Sequence, residues 1–165
     1  GYALCEKLHA AGAELIVTDI NQATLDKAAT EFDATVVGLD EIYSQDVDVF
    51  SPCALGAAIN DETISQLKAS IVAGCANNQL AESRHDQLLL EKGILYAPDY
   101  VINAGGIINV ALEIYPEPYC AESATKLVEN IYNTLMTVFE TAAANNMPTG
   151  IIADEMARSI IAKGA

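Results

Sequence analysis

The stretch LIVTDINQATLDKAATEFDATVV, from Leu15 to Val37, carries two structural periods in succession. Leu15-Ile16-Val17 is a short apolar, partly β-branched run that ends in Thr18-Asp19, and it predicts a strand buried on both faces. From Asn21 to Phe32 the spacing changes: Leu25, Ala28, Ala29 and Phe32 share one face of a helix. Thr35-Val36-Val37 returns to strand. Two such strands joined by a helix run parallel, because a crossover of this length carries the chain back to its starting edge.

The same alternation extends outward in both directions. Upstream, Tyr2 to Ala11 sets Leu4 and Leu8 one turn apart, and Gly12 stops that helix. Downstream, Val47-Asp48-Val49-Phe50 reads as a strand closed by Ser51-Pro52, and Asn60-Asp61-Glu62 predicts a capped helix through Leu67. Ser70 to Gly74 is strand, Ser83 to Lys92 helix ending at Gly93, and Ile94-Leu95-Tyr96 a last strand. After Pro98 only helix is expected. Ala121 to Ala144 predicts one long amphipathic helix, with Ala124, Leu127, Val128, Ile131, Leu135, Val138, Phe139 and Ala142 along one stripe. Asn145-Asn146-Met147-Pro148 breaks it, and a final helix runs from Thr149 to Ala162. The expected fold is α/β: a doubly wound, mostly parallel sheet with helices on both faces, followed by C-terminal helices.

Composition bounds the function. The 165 residues suit one domain, and 52% of them are apolar, so a packed core is expected. With 8 basic and 23 acidic residues the net charge is −15, which repels a phosphate backbone and an anionic membrane alike. Neither nucleic acid nor membrane is an expected partner, and no apolar run has the length of a spanning helix. Cys5, Cys53, Cys75 and Cys120 form no C-x-x-C pair and have no His at ligand spacing, so no metal site is expected. Their small or apolar neighbours predict buried free thiols, and nothing points to an oxidising compartment; a cytoplasmic protein is expected. His9 and His85 fall on helices and are read as surface residues.

A dinucleotide-binding sheet opens with a strand, a glycine-rich turn and a helix, with an acidic residue about 20 positions further on. Here Gly1 stands where the last glycine of that turn belongs, and Asp19 ends the next strand. The first strand, central in such sheets, and most of the turn are missing, which predicts that the 165 residues are part of a longer polypeptide. A second ligand signal is DYVINAGGIINV, Asp99 to Val110, where Asn103 and Gly105-Gly106 interrupt an apolar run. An Asn side chain both donates and accepts, and glycines let backbone and ligand approach closely.

Four segments in order carry a more specific likeness: Val17 to Asn21 (VTDIN), Ser51 to Gly56 (SPCALG), Gly74 to Leu80 (GCANNQL) and Tyr96 to Gly106 (YAPDYVINAGG). They resemble the nucleotide-binding domain of the glutamate, leucine, phenylalanine and valine dehydrogenases, most closely the leucine type, over essentially the whole chain. The resemblance implies reversible, NAD-dependent oxidative deamination of an L-amino acid to its 2-oxo acid and ammonia. It implies that Gly1 and the helix after it meet the pyrophosphate, that Asp19 accepts from the adenosine ribose, and that Ile20 lies beside the adenine. Cys53, Ala54 and Leu55 would lie over the cofactor, Asn77 would face the nicotinamide-side ribose, and Asn103 would reach both nicotinamide and substrate. A carboxylate at Asp19, with no Arg or Lys before Lys27, favours NAD over NADP. The resemblance also implies a homo-oligomer.

The family's catalytic lysines and acid belong to another domain, with no counterpart in this chain, so no catalytic residue is expected here. Cys53 has no activating neighbour in sequence and is not expected to act as a nucleophile. None of the 7 tyrosines is followed by Lys four residues later, which disfavours a Tyr-Lys alcohol-oxidising site. The remaining alternatives are a phenylalanine or valine dehydrogenase and a non-catalytic NAD-binding module.

Overall fold

The computed structural model describes residues 1–114 and 119–164. Its core is a set of short parallel strands flanked by helices, in the order α1 (Tyr2–Ala10), β1 (Ile16–Val17), α2 (Gln22–Phe32), β2 (Thr35–Val36), β3 (Val49–Phe50), β4 (Ile71–Val72), α3 (Arg84–Glu91), β5 (Leu95–Tyr96). Five further helices complete the chain: α4 (Asp99–Ile102), α5 (Gly105–Ile114), α6 (Ala121–Glu129), α7 (Ile131–Asn145) and α8 (Thr149–Ala162). The strands form two ladders, β1-β2 and β3-β4-β5, with every pairing parallel. The βαβ pairing of Leu15 to Val37 is borne out, with Asn21 capping α2 by accepting from the Thr24 amide and Leu25, Ala28 and Phe32 buried, but the strands are not buried on both faces: β1 is half-buried and β2 exposed.

Each ladder has its own core. Phe50, Ile59, Ile64, Leu67, Val72, Leu89, Ile94 and Tyr96 cluster around β3-β5. Ala28, Phe32 and Ala34, with Tyr2, Leu15 and Val17 against them, form the smaller core under β1-β2. A third cluster joins α7 to α8 through Val138, Ala142, Ile152 and Ala153. Burying side chains as completely as Ile59 and Leu89 stabilises the fold by about 1.5–3 kcal/mol each.

Four expectations are corrected. Asn60 does cap, accepting from the Glu62 and Thr63 amides, but the segment is a run of turns and not a helix through Leu67. The Ser65 hydroxyl and Gln66 side-chain amide both occupy the Glu62 carbonyl that a helical amide needs. The helix expected over Ala121 to Ala144 is two, α6 and α7, separated at Asn130, whose ψ of −11° departs from helical geometry. The Asn130 side chain accepts from Asn133, and its carbonyl is shared between the amide and the hydroxyl of Thr134. Ala124, Val138 and Ala142 of its stripe are buried, whereas Leu127 and Val128 are exposed.

His85 is not at the surface but 1% exposed. Its Nδ1 accepts from the Glu82 amide at 3.0 Å, so Nε2 carries the proton and faces Asp61 Oδ1 at 3.2 Å. With both ring nitrogens paired, burial leaves no polar atom unsatisfied. Nor are the cysteines fully buried: Cys5 and Cys53 are partly covered, Cys75 and Cys120 exposed, and all four are free thiols. Cys53 and Cys75 follow β3 and β4, where the chain leaves the core, whereas Cys5 lies within α1 and Cys120 at the start of α6.

Candidate functional site

Parallel strands deliver their carboxyl ends to one edge of the sheet, and the residues singled out in the sequence lie on the segments that leave those ends. β1 leads into Asp19-Ile20, β3 into Cys53-Ala54-Leu55, β4 into Asn77, and β5, through Pro98 and α4, into Asn103. Ile20 and Leu55 are 90% and 83% exposed, so two large apolar side chains stand in solvent at this edge. Asp19 is exposed as well; one of its carboxylate oxygens accepts from the Asn21 amide at 2.9 Å, which turns the chain from β1 into α2.

Three of the four loops are locked together. Asn103 Nδ2 donates to Asn77 Oδ1 at 2.6 Å and lies 3.4 Å from the Cys75 carbonyl. The Ala57 amide donates to the Asn78 carbonyl at 2.7 Å, and the Ala76 amide to the Pro52 carbonyl at 2.9 Å. Gly1 adjoins the same group: a Cβ placed on it would lie 3.5 Å from Cys53 Cβ. Gly1, Cys53, Asn77 and Asn103 are therefore brought together. Asp19 and Ile20 follow β1 on the other ladder, with no hydrogen bond to these residues among the described ones.

Asn77 accepts through Oδ1, so its own amide N–H groups are free to donate toward a ligand, and Asn103 keeps its Oδ1 as an acceptor. A carboxamide or ribose, which offers both donors and acceptors, fits that pair.

Two residues that the sequence reading passed over hold this geometry. Gln79 is fully buried; its side-chain amide donates to the Gly74 and Ala76 carbonyls at 2.8 and 3.0 Å, bracketing the loop ahead of Asn77. Among the described residues its Oε1 has no partner, a cost accepted for holding two carbonyls of one turn. Asp99 Oδ2 accepts from the Gln79 amide at 2.8 Å, tying the β4 loop to the start of α4. A Gln directly after two Asn residues gave no periodicity signal; only its burial shows its role.

Cys53 also differs from expectation. Burial pushes its thiol up, but hydrogen bonds from Ser51 and from the backbone and thiol of Cys75 outweigh this and bring it below its usual value. Burial raises Cys75, and the neighbouring Cys53 raises it further.

Residues 5–160 match the family model described as Glutamate/Leucine/Phenylalanine/Valine dehydrogenase. The chain is 56% identical over 160 residues to a leucine dehydrogenase of Thermoactinomyces intermedius, covering 97% of this chain and 43% of that protein. It is 49% identical over 162 residues to an L-tryptophan dehydrogenase of Nostoc punctiforme, covering 98% of this chain and 45% of that one. The crystal structure of L-tryptophan dehydrogenase from Nostoc punctiforme superposes with a TM-score of 0.94 at 48% identity, over 99% of this chain and 48% of that chain. A hetero-hexameric glutamate dehydrogenase from Thermus thermophilus, at 19% identity and a TM-score of 0.59, shares the fold. The chain thus spans less than half the length of these relatives. The strand-end loops, the parallel ladders and the match over residues 5–160 together place the chain in the glutamate/leucine/phenylalanine/valine dehydrogenase family, as its NAD-binding domain.

Proposed function

We propose that the chain is the cofactor-binding half of an NAD-dependent dehydrogenase that reversibly deaminates a branched-chain L-amino acid, of the leucine type, to its 2-oxo acid and ammonia. The observation that carries this reading is the Asn77–Asn103 contact of 2.6 Å beside Cys53 at the strand ends. Bound NAD supplies the hydride acceptor. Asp19 accepts from the adenosine ribose and disfavours a 2′-phosphate; Gly1 and the amides opening α1 meet the pyrophosphate; Ile20, Ala54 and Leu55 give apolar cover. Asn77 and Asn103 orient the nicotinamide end, and Asn103 also contacts the substrate. Groups that exchange protons with the reacting amine lie in a second domain, so this chain positions and does not perform acid–base chemistry.

The same reading accounts for the split sheet. We infer that β1 and β3 flank the place of one more strand, supplied by sequence outside these residues, which joins both ladders and carries the rest of the glycine-rich turn. Similarity to leucine dehydrogenases at 52–56% identity, against 49% and 46% for tryptophan and phenylalanine dehydrogenases, favours the leucine-type substrate. Phenylalanine or valine as substrate, and a non-catalytic NAD-binding module, are the alternatives.

The test follows NADH absorbance in the intact protein with L-leucine, L-valine, L-phenylalanine and L-glutamate. Turnover fastest with leucine is expected, and no turnover with any of them would leave only the binding module. Asp19→Ala should weaken NAD by roughly tenfold, the loss of one or two charge-assisted hydrogen bonds; unchanged affinity removes Asp19 from the site. Asn103→Ala should lower turnover with the fold intact.

A further inference from the structure

We propose that Cys53 and Cys75 form an oxidisable thiol pair within the cofactor cradle, closed to a disulfide by a peroxide. The two residues are far apart in sequence, yet their loops are in contact. The Ala76 amide donates to the Pro52 carbonyl at 2.9 Å, so each cysteine sits one residue from a direct interstrand bond. Gly74 lets the loops approach: a Cβ there would stand 2.1 Å from the Pro52 carbonyl oxygen. Ser51 Oγ lies 3.5 Å from Cys53 Sγ, and the parallel register that sets Phe50 beside Val72 carries Cys53 and Cys75 on at equal distance from it. Cys75 is exposed and Cys53 partly so, which admits a small oxidant.

The asymmetry assigns roles. Cys53, whose sulfur has the Ser51 hydroxyl at 3.5 Å to steady a thiolate, is the sulfur assigned to attack first. Its thiolate takes one oxygen of hydrogen peroxide, breaking the O–O bond; the released hydroxide picks up a proton and leaves as water. Cys53 is now a sulfenic acid. The Cys75 thiol, losing its proton, attacks the Cys53 sulfur; the S–S bond forms and the sulfenic hydroxyl departs with that proton as a second water. Two thiols are oxidised, and one peroxide is reduced to two waters. The disulfide ties the Cys53–Leu55 loop to the loop carrying Asn77. Its consequence for NAD rests on the cofactor reading above; the thiol chemistry does not.

The sequence makes the test unambiguous, because cleavage after Lys7, Lys27, Lys68, Arg84, Lys92 and Lys126 leaves every cysteine on a separate peptide. The intact protein is treated with hydrogen peroxide, digested with trypsin without reductant, and mapped by mass spectrometry. The expected product is peptide 28–68 joined to peptide 69–84, lighter than their sum by two hydrogens and split by dithiothreitol. Cys75→Ser should abolish the link and leave a dimedone-reactive sulfenic acid on Cys53, while Cys120→Ser should not change it. Oxidation of Cys53 without linkage to Cys75 in the unmodified protein, or preferential linkage to Cys5 or Cys120, overturns the proposal. Saturating NAD should slow linkage by about tenfold. If linkage forms equally fast in the presence of NAD, the pair stands and its place under the cofactor fails; if the protein binds no NAD, the function reading fails and the mapping still decides the thiol pair.

Discussion

Gly74 is where a single methyl group decides whether the cofactor edge can form. A Cβ at this position would lie 2.1 Å from the carbonyl oxygen and 2.5 Å from the nitrogen of Pro52, and both are backbone atoms that cannot rotate away. Gly74→Ala should cost about 3 kcal/mol or more, read as a lowered denaturant midpoint at unchanged m-value. A loss under about 1 kcal/mol would mean that the two loops separate easily, and the contact between the Cys53 and Cys75 loops would lose its rigidity. Asp19 and Asn103 stand out in the sequence by residue type and position, whereas Cys53 and Asn77 are singled out only by the family resemblance. Gln79 was not, because its function is to donate to two carbonyls from inside the core, and no sequence period reports that.

At the level of elements, the junction of α3 with α8 is a carboxylate buried against a helix start. Asp86 Oδ2 accepts from the Gly150 amide at 2.9 Å, in the first turn of α8. A Cβ on Gly150 would stand 2.6 Å from that oxygen. Helix propensity favours Gly150→Ala by up to about 1 kcal/mol, but the clash should win and leave a net loss of about 1–2 kcal/mol. The second substitution Asp86→Ala should make Gly150→Ala harmless; an additive double mutant would show that the two residues do not meet. Asp86 also sets a pH dependence. Burial raises its carboxyl above the ordinary 3.8, and Asp154 adds to this, against lowering bonds from the Gly150 and Ile151 amides and Thr149. The native state then holds this proton more tightly than the unfolded chain, so the group's contribution is most favourable at low pH and declines as pH rises from 3.8 through the raised value. Asp86→Asn should therefore gain stability relative to the unmodified protein across that interval in urea titrations. A difference between the two that does not vary with pH would show that burial does not govern this carboxyl.

For the whole molecule, the two ladders rest on unequal cores. The β3-β5 cluster contains nine buried residues and the β1-β2 cluster three, so the second should open first. In hydrogen exchange, the Thr35 and Val37 amides, bonded to Leu15 and Val17 carbonyls, should exchange before those of Ala73 and Ala97, bonded to Phe50 and Val72. Simultaneous exchange would mean that the ladders already behave as one sheet. The alternation of apolar runs with helical stripes by itself determined the parallel α/β class and put the chosen residues at one edge, since strand and helix periods are local and a βαβ crossover runs one way. Local patterns also misled: Asn60 caps as its position suggests, but the Ser65 and Gln66 side chains take the Glu62 carbonyl and no helix to Leu67 follows, while Asn130 divides what the apolar stripe predicts as one helix. Only the tertiary structure decided that the Cys53 and Cys75 loops are bonded together, that Asn77 meets Asn103, and that His85 is buried with both nitrogens paired. Those contacts join residues from separate strands and turns, and their strength depends on burial and distance, which exist only once the chain has packed.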